Sequence, residues 1–190
     1  AAGTLFPELP PLANGSIRLD APAGVVAYAS RVDRESGDAT ITFAGAFPDA
    51  SLTWNPQPRF RASFDAAGSV RGAGGSDWKT SIALANPLST AAVVLLTFFP
   101  AADPARAVTH LVDVAPQGSA SFDDLAGEAF SGVAPELLNT GVLVAESASP
   151  FATWGWLYNT TSAGRFGQSL PGRDISPSRV LAPESDDVTP

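Results

Sequence analysis

Ala91-Ala-Val-Val-Leu-Leu-Thr-Phe-Phe-Pro-Ala-Ala102 is the longest apolar run of the chain, twelve residues with a proline inside it. A membrane-spanning helix needs about 20 apolar residues, so the run is too short to cross a bilayer. Residues 93–99 are β-branched, leucine or aromatic, and they lie between Asn86-Pro87 and Pro100. Such a bounded run reads as a central strand buried on both faces. Outward from it, strand-like segments alternate with turn residues: Ser16 to Asp20, Val25 to Asp33, Ala39 to Ala44, Phe60 to Phe64, Trp78 to Ala85, Ala107 to Val114, Ser119 to Phe122, Gly141 to Glu146, Phe151 to Tyr158 and Arg165 to Leu170. Short strands at this spacing predict an all-β protein, an immunoglobulin-like or jelly-roll-like antiparallel β-sandwich. One short helix is expected within Asp123 to Phe130, where acids stand at the helix start, and another helical turn near Pro135 to Leu138.

Composition narrows the chemistry. The 190 residues carry 19 acids against 11 bases, a formal charge of -8, with no Cys and one His. A phosphate backbone or an anionic lipid surface needs a basic face, so nucleic acid is excluded as a partner and no membrane span is expected. Thiol nucleophiles, disulfides and thiolate metal sites are absent with cysteine, and a single His makes neither a zinc site nor a relay. No metal or cofactor is implied. The chain starts Ala1-Ala2-Gly3 and lacks Met, which fits an end left by a signal peptidase; the expectation is an exported protein, extracellular or on the cell surface.

Three regions follow from the pattern. Residues 1–59 read as an N-terminal arm with hairpins, 60–172 as the main sandwich module, and 173–190 as a weakly ordered tail rich in Pro, Ser and Asp. A shift of 126 residues lays Val25 to Asp33 on Phe151 to Asn159, pairing Tyr28 with Trp154 and Val32 with Tyr158; this is a partial repeat of pattern, or two ordinary hairpins with the same periodicity. Asn14-Gly-Ser and Asn159-Thr-Thr fit the glycosylation sequon.

Trp78-Lys-Thr-Ser-Ile-Ala-Leu-Ala-Asn86-Pro87, Gly118-Ser-Ala-Ser-Phe-Asp-Asp124, Gly141-Val-Leu-Val144 and Gly164-Arg-Phe-Gly-Gln-Ser-Leu-Pro-Gly172 follow one another in that order. This series resembles an uncharacterised module recurring in exported proteins of high-GC bacteria, and the resemblance covers about residues 70 to 172. It implies a secreted β-sandwich used in surface proteins, and it carries over no catalytic residue.

Catalytic constellations are thin. His110 alternates with Val108 and Val112 in Ala107 to Asp113, the position of a strand histidine rather than a base, and no G-x-S-x-G elbow exists. Asp123, Asp124 and Glu128 could serve glycoside hydrolysis if two of them faced one cleft. Helix capping explains the same placement before Leu125. Gly72-Ala-Gly-Gly75 precedes a strand rather than a helix, so it has no helix N-terminus with which to hold a phosphate.

Two features suggest binding. Alternation puts Trp154, Trp156 and Tyr158 on one face of one strand, about 7 Å apart, a row able to stack on sugar rings if exposed and to serve as core if covered. Periodicity leaves open which face is wet. The second feature is Leu5-Phe-Pro-Glu-Leu-Pro-Pro-Leu12, whose Leu5, Phe6, Leu9 and Leu12 form an apolar arm for a sheet edge or groove of the same or a neighbouring subunit. The expected role is a non-enzymatic structural or adhesive module. It is a filament or surface-layer subunit assembling head-to-tail by terminal strand addition, or binding other cell-surface proteins. A carbohydrate-binding module using Trp154, Trp156 and Tyr158 is the alternative, with polysaccharide as partner; a glycoside hydrolase is the distant one.

Overall fold

The protein was analysed as a computed structural model, which describes residues 28–32, 37, 39–43, 60–170 and 172–174. The strands are β1 (Tyr28–Val32), β2 (Ala39–Phe43), β3 (Phe60–Ala67), β4 (Val70–Arg71), β5 (Asp77–Ala85), β6 (Ala92–Pro100), β7 (Val108–Val114), β8 (Ser119–Phe122), β9 (Gly141–Ser147), β10 (Ala152–Thr161), β11 (Gly164–Leu170) and β12 (Arg173–Asp174). One α-helical turn, α1 (Leu125–Glu128), and short 3-10 turns at Ala73–Gly75, Pro104–Arg106 and Pro135–Leu138 complete the described elements. The fold is an all-β sandwich of antiparallel strands. One sheet runs β12-β3-β9-β6-β7; the other runs β11-β10-β5-β4, with β8 pairing further along the same edge of β5.

The core lies between the sheets and is built by alternation. Phe64 of β3, Ile82 and Leu84 of β5, Val94, Leu96 and Phe98 of β6, and Leu143 of β9 are all buried. Each contributes about 1.5 to 3 kcal/mol by leaving water. The apolar run does form an interior strand, flanked by β9 and β7. Its expected burial on both faces does not hold. Ala92, Val94, Leu96, Phe98 and Pro100 point into the core, whereas Val93 on the opposite face is 52% exposed and Leu95, Thr97 and Phe99 are half-buried. Leucine and valine are used on this outer face where polar residues are the rule, and composition alone therefore read as two-sided burial.

The chain changes sheets repeatedly, and each crossing leaves backbone groups that need partners. Between β5 and β6 the buried Asn86 supplies them. Its Nδ2 lies 2.7 Å from the Thr90 carbonyl, 3.2 Å from that of Val114 and 3.1 Å from that of Ala115, and its Oδ1 accepts from the Leu88 N–H at 3.0 Å. The Asn86 N–H donates to the Gly118 carbonyl at 2.9 Å, so one residue ties the β5–β6 connection to the β7–β8 connection. At the β3–β4 crossing, the Gly68 N–H donates to Thr80 Oγ1 (2.8 Å) and the Thr80 hydroxyl donates back to the Gly68 carbonyl (2.9 Å). Gly68 has φ +151°, and a Cβ there would stand 2.4 Å from the Asn139 carbonyl oxygen, so no other residue fits.

Element bounds follow the sequence closely, and the short helix expected within Asp123 to Phe130 is Leu125–Glu128, with Asp124 as its N-cap. Two readings are amended. Residues 173 and 174, assigned to a weakly ordered tail, pair with β3 as β12. Both copies of the partial repeat are antiparallel hairpins, but their registers differ: Tyr28 pairs with Phe43, while the β10–β11 register starts one residue after Trp154, at Gly155 and Leu170. Residues 1–27, with the expected Ser16 to Asp20 strand and the arm, lie outside the described residues, as does the chain after residue 174.

Asn86→Ala would strand three carbonyls and one N–H in a buried site. The expected cost is about 2 to 4 kcal/mol in urea unfolding, with the β-type circular dichroism of the remaining folded fraction unchanged.

Candidate functional site

On the β11-β10-β5 sheet, Trp154, Trp156 and Tyr158 face away from the core, opposite Ala83, Ser81 and Lys79 of β5. Alternation therefore places the row on one face, as expected. It does not make an open platform. Trp156 and Tyr158 are each 2% exposed and Trp154 is half-buried. The rings of Trp156 and Tyr158 stack on one another with centroids 4.8 Å apart and planes 25° apart. Arg165 lies over the Tyr158 ring at 4.9 Å, a cation–π contact, and the Tyr158 hydroxyl donates to the Asp123 carbonyl at 2.9 Å. At Gly167, opposite Tyr158, a Cβ would come within 2.8 Å of the Trp156 indole nitrogen. The ring faces of Trp156 and Tyr158 are thus spent on neighbours, and these two form a second apolar layer rather than an open sugar platform.

The carboxylates beside it are occupied too. Asp124 Oδ1 accepts from the Gly127 N–H at 3.1 Å, and Glu128 Oε1 accepts from the Asp124 N–H at 3.2 Å, the reciprocal pattern of a capping box. Lys79 Nζ donates to Asp124 Oδ2 at 2.6 Å, and Asp123 pairs loosely with Arg165 at 4.0 Å. The Asp124 hydrogen bond holds the Lys79 ammonium above its ordinary range against the opposing effect of burial. Burial alone pushes Asp124 up, but its bond to Lys79, the Gly127 N–H, the Lys79 charge and the Ala126 N–H together bring it below the usual carboxylate value. Burial also raises Tyr158. Asp123 and Glu128 line no cleft with the aromatics; they cap and pair. His110 is half-buried and meets Phe122 (5.7 Å) and Phe130 (6.3 Å) edge-on. Among the described residues no three acidic or histidine side chains are grouped as metal ligands, and no helix is long and apolar enough to cross a membrane. Gly72-Ala-Gly-Gly75 forms a 3-10 turn leading into β5.

Two features remain open to solvent. The first is a cleft of about 600 Å³ at one end of the sandwich. Trp78 shares a face with the core residues Ile82 and Leu84, and this inward face continues past the core to the mouth of β5. The register sets Val70, Trp78, Asn159 and Phe166 side by side across β4, β5, β10 and β11. Leu157 and Gln168 form the next row, and Asn139 and Thr140, just before β9, close the other wall with Gly68. In the sequence Trp78 opens both the motif series and the expected Trp78 to Ala85 strand. Its parity with Ile82 and Leu84, at the very start of the strand, was the available signal for an aromatic at the rim of the core.

The second open feature is β7. It ends its sheet, and no described strand pairs with its outer edge. Leu111 at its centre is 66% exposed and sits opposite Leu95. The expected arm residues Leu5, Phe6, Leu9 and Leu12 lie outside the described residues.

Trp156→Ala should cost about 3 to 5 kcal/mol in chemical unfolding, the loss of a buried ring and the cavity it leaves. A change below 1 kcal/mol would show the row to be exposed after all. For the Lys79 and Asp124 pair the sign is fixed by a depressed Asp124 and a raised Lys79. Asp124 adds stability above its unfolded pKa and loses it as pH falls through the folded one. Lys79 adds stability below its unfolded pKa and loses it only in strong alkali, above the folded one. Asp124→Asn should therefore lower the urea midpoint at neutral pH and leave it equal to the parent's in strong acid.

No protein-family model matches the chain, and no curated protein matches it. Among solved structures, the crystal structure of Thermotoga maritima 1070 is similar in part, at 18% identity and a TM-score of 0.47, covering 60% of this chain and 92% of that one.

Proposed function

We propose that this is a non-enzymatic extracellular structural or adhesive module that assembles by adding a terminal segment to an open sheet edge. The observation that carries the reading is the β7 edge. Sheet proteins guard such edges with charges, prolines or bulges, because a row of unpaired N–H and C=O groups recruits further strands. β7 carries one formal charge, Asp113, and no proline. Beside it the outer face of the sheet presents Val93, Leu95 and Leu111 to solvent or half to solvent.

The arm has matching chemistry. A strand added at an edge pairs on one side only, so a proline is tolerated where its nitrogen points away. With Pro7 so placed, Phe6 and Glu8 direct their N–H groups toward the acceptor, and Leu5 and Leu9 share one face. Pro10 ends the pairing. Leu5 and Leu9 on the β7 side extend the Val93, Leu95 and Leu111 patch, each contributing about 1.5 to 3 kcal/mol if fully buried, less the cost of association and ordering. Donation from one copy to the next is head-to-tail, and it propagates as a filament unless the rotation closes a ring. Export, which the sequence resemblance implies, would set this assembly at the cell surface.

In sedimentation, the intact chain should form assemblies that grow with concentration, and both Leu111→Lys and removal of residues 1–12 should yield monomers with unchanged circular dichroism. An intact chain that stays monomeric at high concentration overturns the proposal.

A further inference from the structure

We propose that the cleft at the end of the sandwich is a binding site for a neutral polysaccharide, recognised by Trp78, Phe166 and Gln168. Trp78 and Phe166 stand on the inward face of one sheet with a single strand between them, through Asn159. Two strand spacings put their backbones about 9.5 Å apart, which leaves room for a sugar ring to lie across both side chains. Phe166 is 38% exposed and Trp78 half-buried, so both can present ring surface to a ligand, in contrast with the stacked Trp156 and Tyr158. Val70 and Leu157 complete an apolar wall suited to the C–H face of a sugar ring.

The polar lining decides the class of ligand. Gln168, Asn139 and Thr140 border the cleft, and each can both donate and accept hydrogen bonds. Sugar hydroxyls have the same dual character. Among the described residues no charged side chain lines the cleft, and the chain's formal charge of -8 repels polyanions. A phosphate, an acidic glycan or an anionic headgroup would find no counter-charge, whereas a neutral glycan loses nothing by their absence. An apolar peptide could use the rings, Leu157 and, through its backbone N–H and C=O groups, the same amides, so the experiment separates the two.

This site does not rest on the assembly reading, since its ring-bearing wall, Val70, Trp78, Leu157, Phe166 and Gln168, lies on the sheet that does not contain β7. The test is affinity electrophoresis of the full chain in gels containing a soluble neutral β-glucan, xylan or mannan. The parent protein should be retarded by at least one of them. Phe166→Ala, at a partly exposed position, should weaken retardation about tenfold, equivalent to about 1.4 kcal/mol, and Gln168→Ala several-fold, both with unchanged circular dichroism. Leu111→Lys, which breaks the proposed assembly contact, should keep full retardation. Absence of retardation by all three glycans, or equal retardation of the parent and Phe166→Ala, overturns the proposal. So does a peptide spanning Leu5 to Leu12 that shifts the Phe166 and Gln168 resonances when the glycans do not, which would assign the cleft to the arm.

Discussion

The sandwich depends on satisfying the backbone where the chain leaves one sheet for the other, and the buried amide of Asn86 does this for two connections at once. Its Nδ2 faces carbonyls from both the β5–β6 and the β7–β8 segments, and its Oδ1 accepts from Leu88. A hydrophobic side chain of the same size would bury as much area but leave those buried and partly buried groups without their protein partner, at about 2 to 4 kcal/mol in all. Gly68 and Thr80 solve the same problem at the β3–β4 crossing by a two-way hydrogen bond that only a glycine backbone can approach. The core between the sheets is held in register because these crossings are.

The two outer faces are treated in opposite ways. On the β10–β11 side, Trp156, Tyr158 and Arg165 stack into a layer of their own, which converts large aromatics into buried ones outside the main core. On the β6–β7 side, Val93 and Leu111 are left in water. A small sheet protein gains nothing in stability from that exposure. The asymmetry is what motivates the proposal of assembly on the β7 side, and it leaves Trp156 and Tyr158 without open ring faces.

Between these faces, the charged groups act locally. Lys79, Asp124, Glu128, Asp123 and Arg165 lie around one short helix turn, and each has a capping or pairing partner. Arg61 and Glu146, 3.0 Å apart on the other sheet's outer face, pair across β3 and β9. Among the described residues, the cleft bounded by Trp78, Phe166 and Gln168 is a concave surface whose lining carries no charge.

Much of the fold was legible in the residues. Alternation with Gly, Pro and Asn between runs located β5, β6, β7, β8, β9, β10 and β11 to within a few residues, and the acids before Leu125 marked the cap of α1, because strand parity and capping are local properties of the chain. Parity also grouped Trp154, Trp156 and Tyr158 correctly on one face. It could not say that this face is covered, since coverage depends on Arg165, Gly167 and Asp123, brought to the row by pairing of β10 with β11 and by the β8–α1 turn. The same limit hid Trp78. Its place in the sequence is that of an ordinary core aromatic, and only the register across β4, β5, β10 and β11 shows the inward face running on past the core to an open end. Strand identity is written in neighbours two residues apart, whereas exposure is a property of what other segments place on top, and that is decided by tertiary packing alone.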